Sequence, residues 1–137
     1  MPQYTSKTYD NATLLKAAGL VAASAAGAVI LDLGNGFMEA DLVIDVTALE
    51  TATGDESYTI SLEGSNVAAM TSGSVELAKI TLGNNPAPAD SDTTTGRKIV
   101  SVRNELEGTL YRYVRLHTTV AGTVATGINF TAFLGKR

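Results

Sequence analysis

Residues 110–120 read Leu-Tyr-Arg-Tyr-Val-Arg-Leu-His-Thr-Thr-Val, and residues 38–47 read Met-Glu-Ala-Asp-Leu-Val-Ile-Asp-Val-Thr. The first run is dense in aromatic and β-branched residues, which suit a pleated, half-buried surface. The second alternates: Met38, Ala40, Leu42, Ile44 and Val46 face one way, and Glu39, Asp41, Val43, Asp45 and Thr47 face the other. A period of two over ten residues is the mark of a strand with one face on a core.

The same pattern continues on both sides. Ser57–Glu63 alternates with Tyr58, Ile60 and Leu62 inward, and Ile128–Leu134 closes the chain with Ile128, Phe130, Ala132 and Leu134 on one face. Val75–Leu82 is a strand whose inward set changes parity between Leu77 and Ala78, as a β-bulge would require. Lys98–Arg103 is a further strand. Leu20–Ser24 and Ala28–Leu33 are expected to be two short strands around Gly27, and Leu14–Ala18 a short helical turn. Turns are expected at Gly34-Asn35-Gly36, Gly64-Ser65-Asn66, Leu106–Gly108 and Gly122–Gly127, with a polar loop at Thr51–Glu56. Val67–Met70 is a short segment. Gly83–Gly96, with Pro86 and Pro88, is the longest loop, and residues 1–13 form a polar extended arm.

About eight short strands with turn signals every 8–14 residues point to an all-β, single-domain antiparallel sandwich over residues 14–137. An eight-stranded jelly roll fits the count best. Count alone does not separate it from an immunoglobulin-like sandwich.

The 137 residues contain no cysteine, no tryptophan and one histidine. That removes disulfides, thiolate nucleophiles and most structural zinc sites. His117 has no second histidine and no recognisable nucleophile context, so it reads as a sheet-face residue and the chain as no enzyme. Acids at Glu39, Asp41 and Asp45, at Asp55 and Glu56, and at Asp90 and Asp92 could seed calcium sites, but none has EF-hand spacing. No metal or other cofactor is therefore expected. Ala17–Leu31 is uncharged but too short and too rich in small residues to span a bilayer. Charge is uneven: residues 1–96 hold twelve acids and three bases, and residues 97–137 hold seven bases and two acids. The bases are spread along strands without an aromatic-rich basic cluster, which argues against nucleic acid. Eighteen threonines and many alanines suit flat β faces, which bind other proteins by area and by strand addition.

Three segments carry a resemblance. They are Thr8-Tyr9-Asp10 leading through Ser24 into Val29-Ile30-Leu31-Asp32-Leu33-Gly34; Tyr58-Thr59-Ile60-Ser61-Leu62-Glu63-Gly64-Ser65; and Tyr111–Val120 followed by Gly122 and Thr131-Ala132-Phe133-Leu134. In these the chain resembles the jelly-roll capsid cement (decoration) proteins of short-tailed bacteriophages, of the Bordetella-phage type. The segment between Leu82 and Gly96 takes no part in it. The resemblance implies a symmetric dimer or trimer, made in the bacterial host cytoplasm, that sits on the outer surface of the virion where major capsid subunits meet. Tyr4, Tyr9 and Leu14 in the arm are candidate anchors on a neighbour. Arg112 and Arg115 are candidates for pairing with shell carboxylates, on opposite faces by parity. A carbohydrate- or host-binding sandwich module of a phage tail or adhesin is the alternative. The absence of tryptophan counts against it.

Overall fold

The computed structural model describes residues 13–83 and 94–136. The expected arm, with Tyr4 and Tyr9, and most of the 83–96 loop, with Asp90 and Asp92, lie outside the described residues. Within them the chain is built of strands packed as two antiparallel sheets. Six strands are long: β5 (Glu39–Leu49), β6 (Ser57–Ser65), β7 (Val75–Gly83), β8 (Gly96–Arg103), β11 (Tyr113–Ala121) and β12 (Ile128–Lys136). Six are short: β1 (Leu14–Lys16), β2 (Leu20–Val21), β3 (Ala25–Ala26), β4 (Leu31–Asp32), β9 (Glu105–Leu106) and β10 (Thr109–Leu110).

One sheet runs β1-β12-β5-β8, with β2 following β1 along the same side of β12. The other runs β3-β11-β6-β7, with β4 following β3 along β11. The strands β9 and β10 form a separate two-stranded hairpin. The residues expected inward meet between the sheets. Ala40, Leu42, Ile44, Val46, Ile128, Phe130, Ala132 and Leu134 from one sheet face Tyr58, Ile60, Leu62, Val114 and Leu116 from the other, all buried. Alternation produces this directly, because every second side chain of a strand projects to the same face.

Four expectations need correction. Leu14–Ala18 is not a helical turn. Leu14 and Lys16 pair with Phe133 and Ala132, and Leu15 is wholly buried in the core. The two short strands around Gly27 are three shorter pieces, because Gly19, Gly27 and the run of alanines give little side-chain surface to hold a continuous ladder. The strand expected over 110–120 begins instead at Tyr113. Glu107 and Gly108, both at positive φ, turn the chain so that Thr109 and Leu110 pair back on Leu106 and Glu105. Lastly, β5 is buried on both faces in its middle: Asp41 and Val43, and Phe133 beside Val43, are shielded although they point away from the core cluster.

The bulge in β7 lies where the parity change puts it. Leu62 pairs with Ala78 and Glu63 with Glu76, leaving Leu77 as the extra residue. A second irregularity, between Asn129 and Phe130 opposite Ala48 and Val46, makes Thr47 the extra residue on β5.

One end of the sandwich is held by carboxylates that receive loop amides. Glu50 accepts from the N–H groups of Ala125, Thr126 and Gly127 and from the Thr126 hydroxyl. Asp55 accepts from the N–H and hydroxyl of Thr123. Glu56, fully buried, accepts from the N–H groups of Thr53 and Asp55. The backbone turns sharply enough here that Gly127, at φ 86°, lies against the Val21 carbonyl where no Cβ would fit. The Ala125 and Thr126 amides hold Glu50 well below the ordinary carboxylate range, at about 2, and the Thr123 amide and hydroxyl lower Asp55. Burial alone would raise Glu56, but backbone amides and the Thr53 hydroxyl outweigh it and keep it low.

Phe130→Ala removes a fully buried ring from the centre of the core and is expected to cost about 3–5 kcal/mol in urea unfolding. A carboxylate with a depressed folded pKa contributes stability that is complete above its unfolded value and is lost as pH falls through the folded one. For Glu50 that window runs from 4.5 down to about 2. Melting temperature is therefore expected to fall across this range. Glu50→Gln should melt lower at pH 7 and show a flatter acid limb; an acid limb identical to that of the unsubstituted protein would refute the assignment.

Candidate functional site

The opposite end of the sandwich is built from three loops: residues 33–38 before β5, residues 66–74 after β6, and residues 104–112, which contain the β9–β10 hairpin. Two asparagines join them. Asn104, 1% exposed, accepts from Met38 N–H at 2.8 Å and donates to the carbonyls of Gly36 at 2.9 Å and Tyr111 at 3.1 Å. Its backbone N–H donates to Met38 O, and its own carbonyl accepts from Tyr111 N–H. Asn66 donates to Leu110 O at 2.9 Å and accepts from Arg112 N–H at 3.1 Å. Ser65, buried, donates to Ser72 O and accepts from Val67 N–H. Amide side chains suit this work because each carries both a donor and an acceptor that can replace ladder bonds where strands end.

On this clamped frame sit four large apolar side chains in solvent: Phe37, 55% exposed, and Val67, Leu106 and Leu110, each 38–39% exposed. Isolated exposed apolar residues are ordinary, but several carried by hydrogen-bonded neighbouring loops make this end a candidate contact surface. The other exposed large apolar residues, Leu20 and Ile99, lie on the β2 edge and on the outer face of β8.

Arg112 borders this end. Its guanidinium forks onto Asp32, Nε to Oδ1 at 2.7 Å and Nη2 to Oδ2 at 2.9 Å, with Asn35 Oδ1 at 3.3 Å and the Tyr113 ring centroid at 5.3 Å. That hydrogen bond is the main reason the Asp32 carboxyl drops to about 2 and the Arg112 pKa rises. Arg115 points from the outer face of β11 to Glu63 on β6 at 3.1 Å. Leu14 is partly buried at the β1 edge beside Phe133. The structure thus sets Arg112 beside the apolar end and keeps Arg115 and Leu14 away from it. Both arginines are paired within the domain.

The uneven charge along the sequence is absorbed the same way. Arg97 of β8 forks onto Asp45 of β5 at 2.7 and 3.0 Å, Arg112 meets Asp32, Arg115 meets Glu63, and Arg103 approaches Glu105 at 3.6 Å. Strand pairing thus places Arg97, Arg112 and Arg115 next to early-sequence acids.

The outer face of the second sheet is a row of hydroxyls around His117. Thr59 and Thr81 are 3.3 Å apart, and the Ser61 hydroxyl donates to His117 O. His117 Nδ1 lies 3.4 Å from the Thr119 hydroxyl. Among the described residues no carboxylate orients this ring. Nor does any group of three His, Cys, Asp or Glu residues stand ready for a metal, and no helix is long and apolar enough to cross a membrane.

Sequence reasoning missed the Asn66 and Asn104 clamps and the apolar end. Phe37 was the available signal, a large aromatic directly after the Gly34-Asn35-Gly36 turn. Nothing along the chain marks Asn104 as buried. No protein-family model matches the chain, and no curated protein matches it.

Asn104→Ala strands one N–H and two carbonyls at this end and is expected to cost at least about 2 kcal/mol in denaturant unfolding. Arg112→Ala, which removes an exposed ion pair, should change stability far less. Equal losses from the two would overturn this division of roles.

Proposed function

We propose that this chain is a structural virion protein, a cement or decoration protein that binds the outer surface of a bacteriophage shell at junctions between major capsid subunits and stabilises it. The observation that carries the reading is the rigid apolar end: Phe37, Val67, Leu106 and Leu110 displayed on loops clamped through Asn66 and buried Asn104. A surface ordered before contact loses little entropy on docking, and a central apolar group with an arginine at its rim is the usual composition of a specific interface.

The strand order supports the jelly-roll reading. With β1 and β2 counted as one strand position and β3 and β4 as another, and with the small β9–β10 hairpin set aside, eight positions remain. The first pairs with the eighth, the second with the seventh, the third with the sixth and the fourth with the fifth. A long antiparallel hairpin rolled into two sheets has this order. The resemblance of the Tyr58–Ser65 and Tyr111–Val120 segments to cement proteins falls on β6 and β11, the paired centre of one sheet. We further propose a dimer or trimer, in which repeated modest contacts around the shell act together. Tyr4 and Tyr9 of the arm, with Leu14 at the β1 edge that follows it, then serve as anchors between neighbours. The mechanism is mechanical: each docked copy buries apolar surface across a joint, on the order of 1,000–2,000 Å² for a specific contact, and resists its opening.

Light scattering on the purified protein, followed by sedimentation with empty shells of its phage, tests this. A dimer or trimer that co-sediments at a fixed copy number and raises the shells' melting temperature is expected. A monomer that ignores shells would sink the proposal, and specific signals on a glycan array would then favour the carbohydrate-binding alternative. Phe37→Ser with Leu106→Ser should leave the fold intact and abolish co-sedimentation. If the double variant still binds, the apolar end is not the docking surface.

A further inference from the structure

A cleft of about 340 Å³ opens on the side of the sandwich where the β1–β2 edge of one sheet and the β3 edge of the other part. None of its lining residues belongs to the three loops of the apolar end. Its walls are mostly small and apolar, from Leu15, Val21, Ala25, Val29 and Leu116. The edge segment is held close without filling the space: Gly27 N–H donates to Leu116 O at 2.7 Å, and a Cβ on Gly27 would press on that oxygen at 3.2 Å.

Two polar groups border the cleft, and they differ in what they have left to offer. Lys16 has nothing. Its ammonium donates to the carbonyls of Ala17, Gly19 and Phe130 at 2.8–2.9 Å and lies 4.4 Å from the Phe130 ring centroid. An ammonium has three protons, and all three are used. Thr118 is the reverse. It projects to the core side of β11, is 5% exposed, and its hydroxyl has no hydrogen-bond partner among the described residues, whereas the hydroxyls of Thr47, Thr53, Thr123 and Thr126 all do. A buried hydroxyl without a partner is costly, and native proteins rarely keep one without a use.

We propose that this cleft binds a neutral aliphatic molecule with one hydrogen-bonding oxygen, an alcohol or ester, seated with that oxygen on the Thr118 hydroxyl. The size follows from packing: an apolar cavity of roughly 150 Å³ holds a benzene ring, so this one admits roughly a dozen heavy atoms. The neutrality follows from Lys16, which has no proton left to give a carboxylate, and from walls that cannot solvate a charge. The volume and lining are those of a small-molecule site.

Amide-shift NMR titration of the full chain with 1-octanol, and separately with sodium octanoate, tests the assignment. Saturable shifts centred on Leu15, Val21, Val29 and Leu116 are expected with 1-octanol, with octanoate about tenfold weaker or worse. Thr118→Val keeps the shape, removes the hydroxyl and should weaken 1-octanol roughly fivefold without lowering the melting temperature. Ala25→Leu, which lies opposite Thr118 and narrows the cleft, should weaken both probes. The proposal is overturned by shifts that do not saturate, by shifts centred on Phe37 and Leu106 instead, by octanoate binding as well as octanol, or by a Thr118→Val protein that binds octanol unchanged. None of these outcomes bears on shell docking, which is read by sedimentation.

Discussion

Face-to-face packing of two antiparallel ladders, β5 on β12 and β6 on β11, is the constraint from which the rest of the molecule follows. Each ladder presents alternate side chains to the other, and Leu42, Ile44, Phe130 and Ala132 meet Tyr58, Ile60, Leu62 and Leu116 with no solvent between. Removing this apolar area from water is the main favourable term available to a chain without disulfides. A one-residue slip in any of these strands would turn its apolar set outward, so the register is strongly specified. The two bulges, at Leu77 and Thr47, let the strands twist without losing that phase.

The ends of the sandwich then face a common problem. Where ladders stop, backbone amides and carbonyls lose their partners and must find others. The chain solves this differently at each end. At one, Glu50, Asp55 and Glu56 receive amides of the 53–55 and 123–127 segments as carboxylates, which makes that end sensitive to acid. At the other, the neutral amides of Asn66 and Asn104 serve, and apolar side chains occupy the surface above them. A neutral clamp under an apolar surface avoids burying charge if that surface is covered by a partner, as buried uncompensated charge would be far more costly than a satisfied amide. The two ends therefore differ in chemistry although they lie on the same scaffold.

Charge shows how far sequence order misleads about surfaces. Net charge changes sign near residue 97, and a reader of the chain expects a basic face. Antiparallel pairing instead places Arg97 on Asp45 and Arg115 on Glu63. Both pairs keep contact with solvent, and such pairs contribute little to stability. Together they set these bases beside acids from the first part of the chain.

By itself the sequence determined the class of fold, the inward faces of β5, β6 and β12, the bulge at Leu77 and most of the turns. These depend on the period of two and on glycine and asparagine at bends, which are local properties of neighbouring residues. Tertiary structure alone decided the rest. That Leu14–Lys16 is a strand depends on β12, more than a hundred residues away, offering an edge. That Arg112 and Arg115 are engaged at home depends on which strands lie beside them. Asn104 became a clamp, Phe37 and Leu106 came to the same end, and Thr118 was left beside a cleft with no hydroxyl partner among the described residues, because long-range strand pairing brought distant residues together. Residues joined by such pairing carry no mark of it along the chain, since the contact is a property of the two partners and not of either segment.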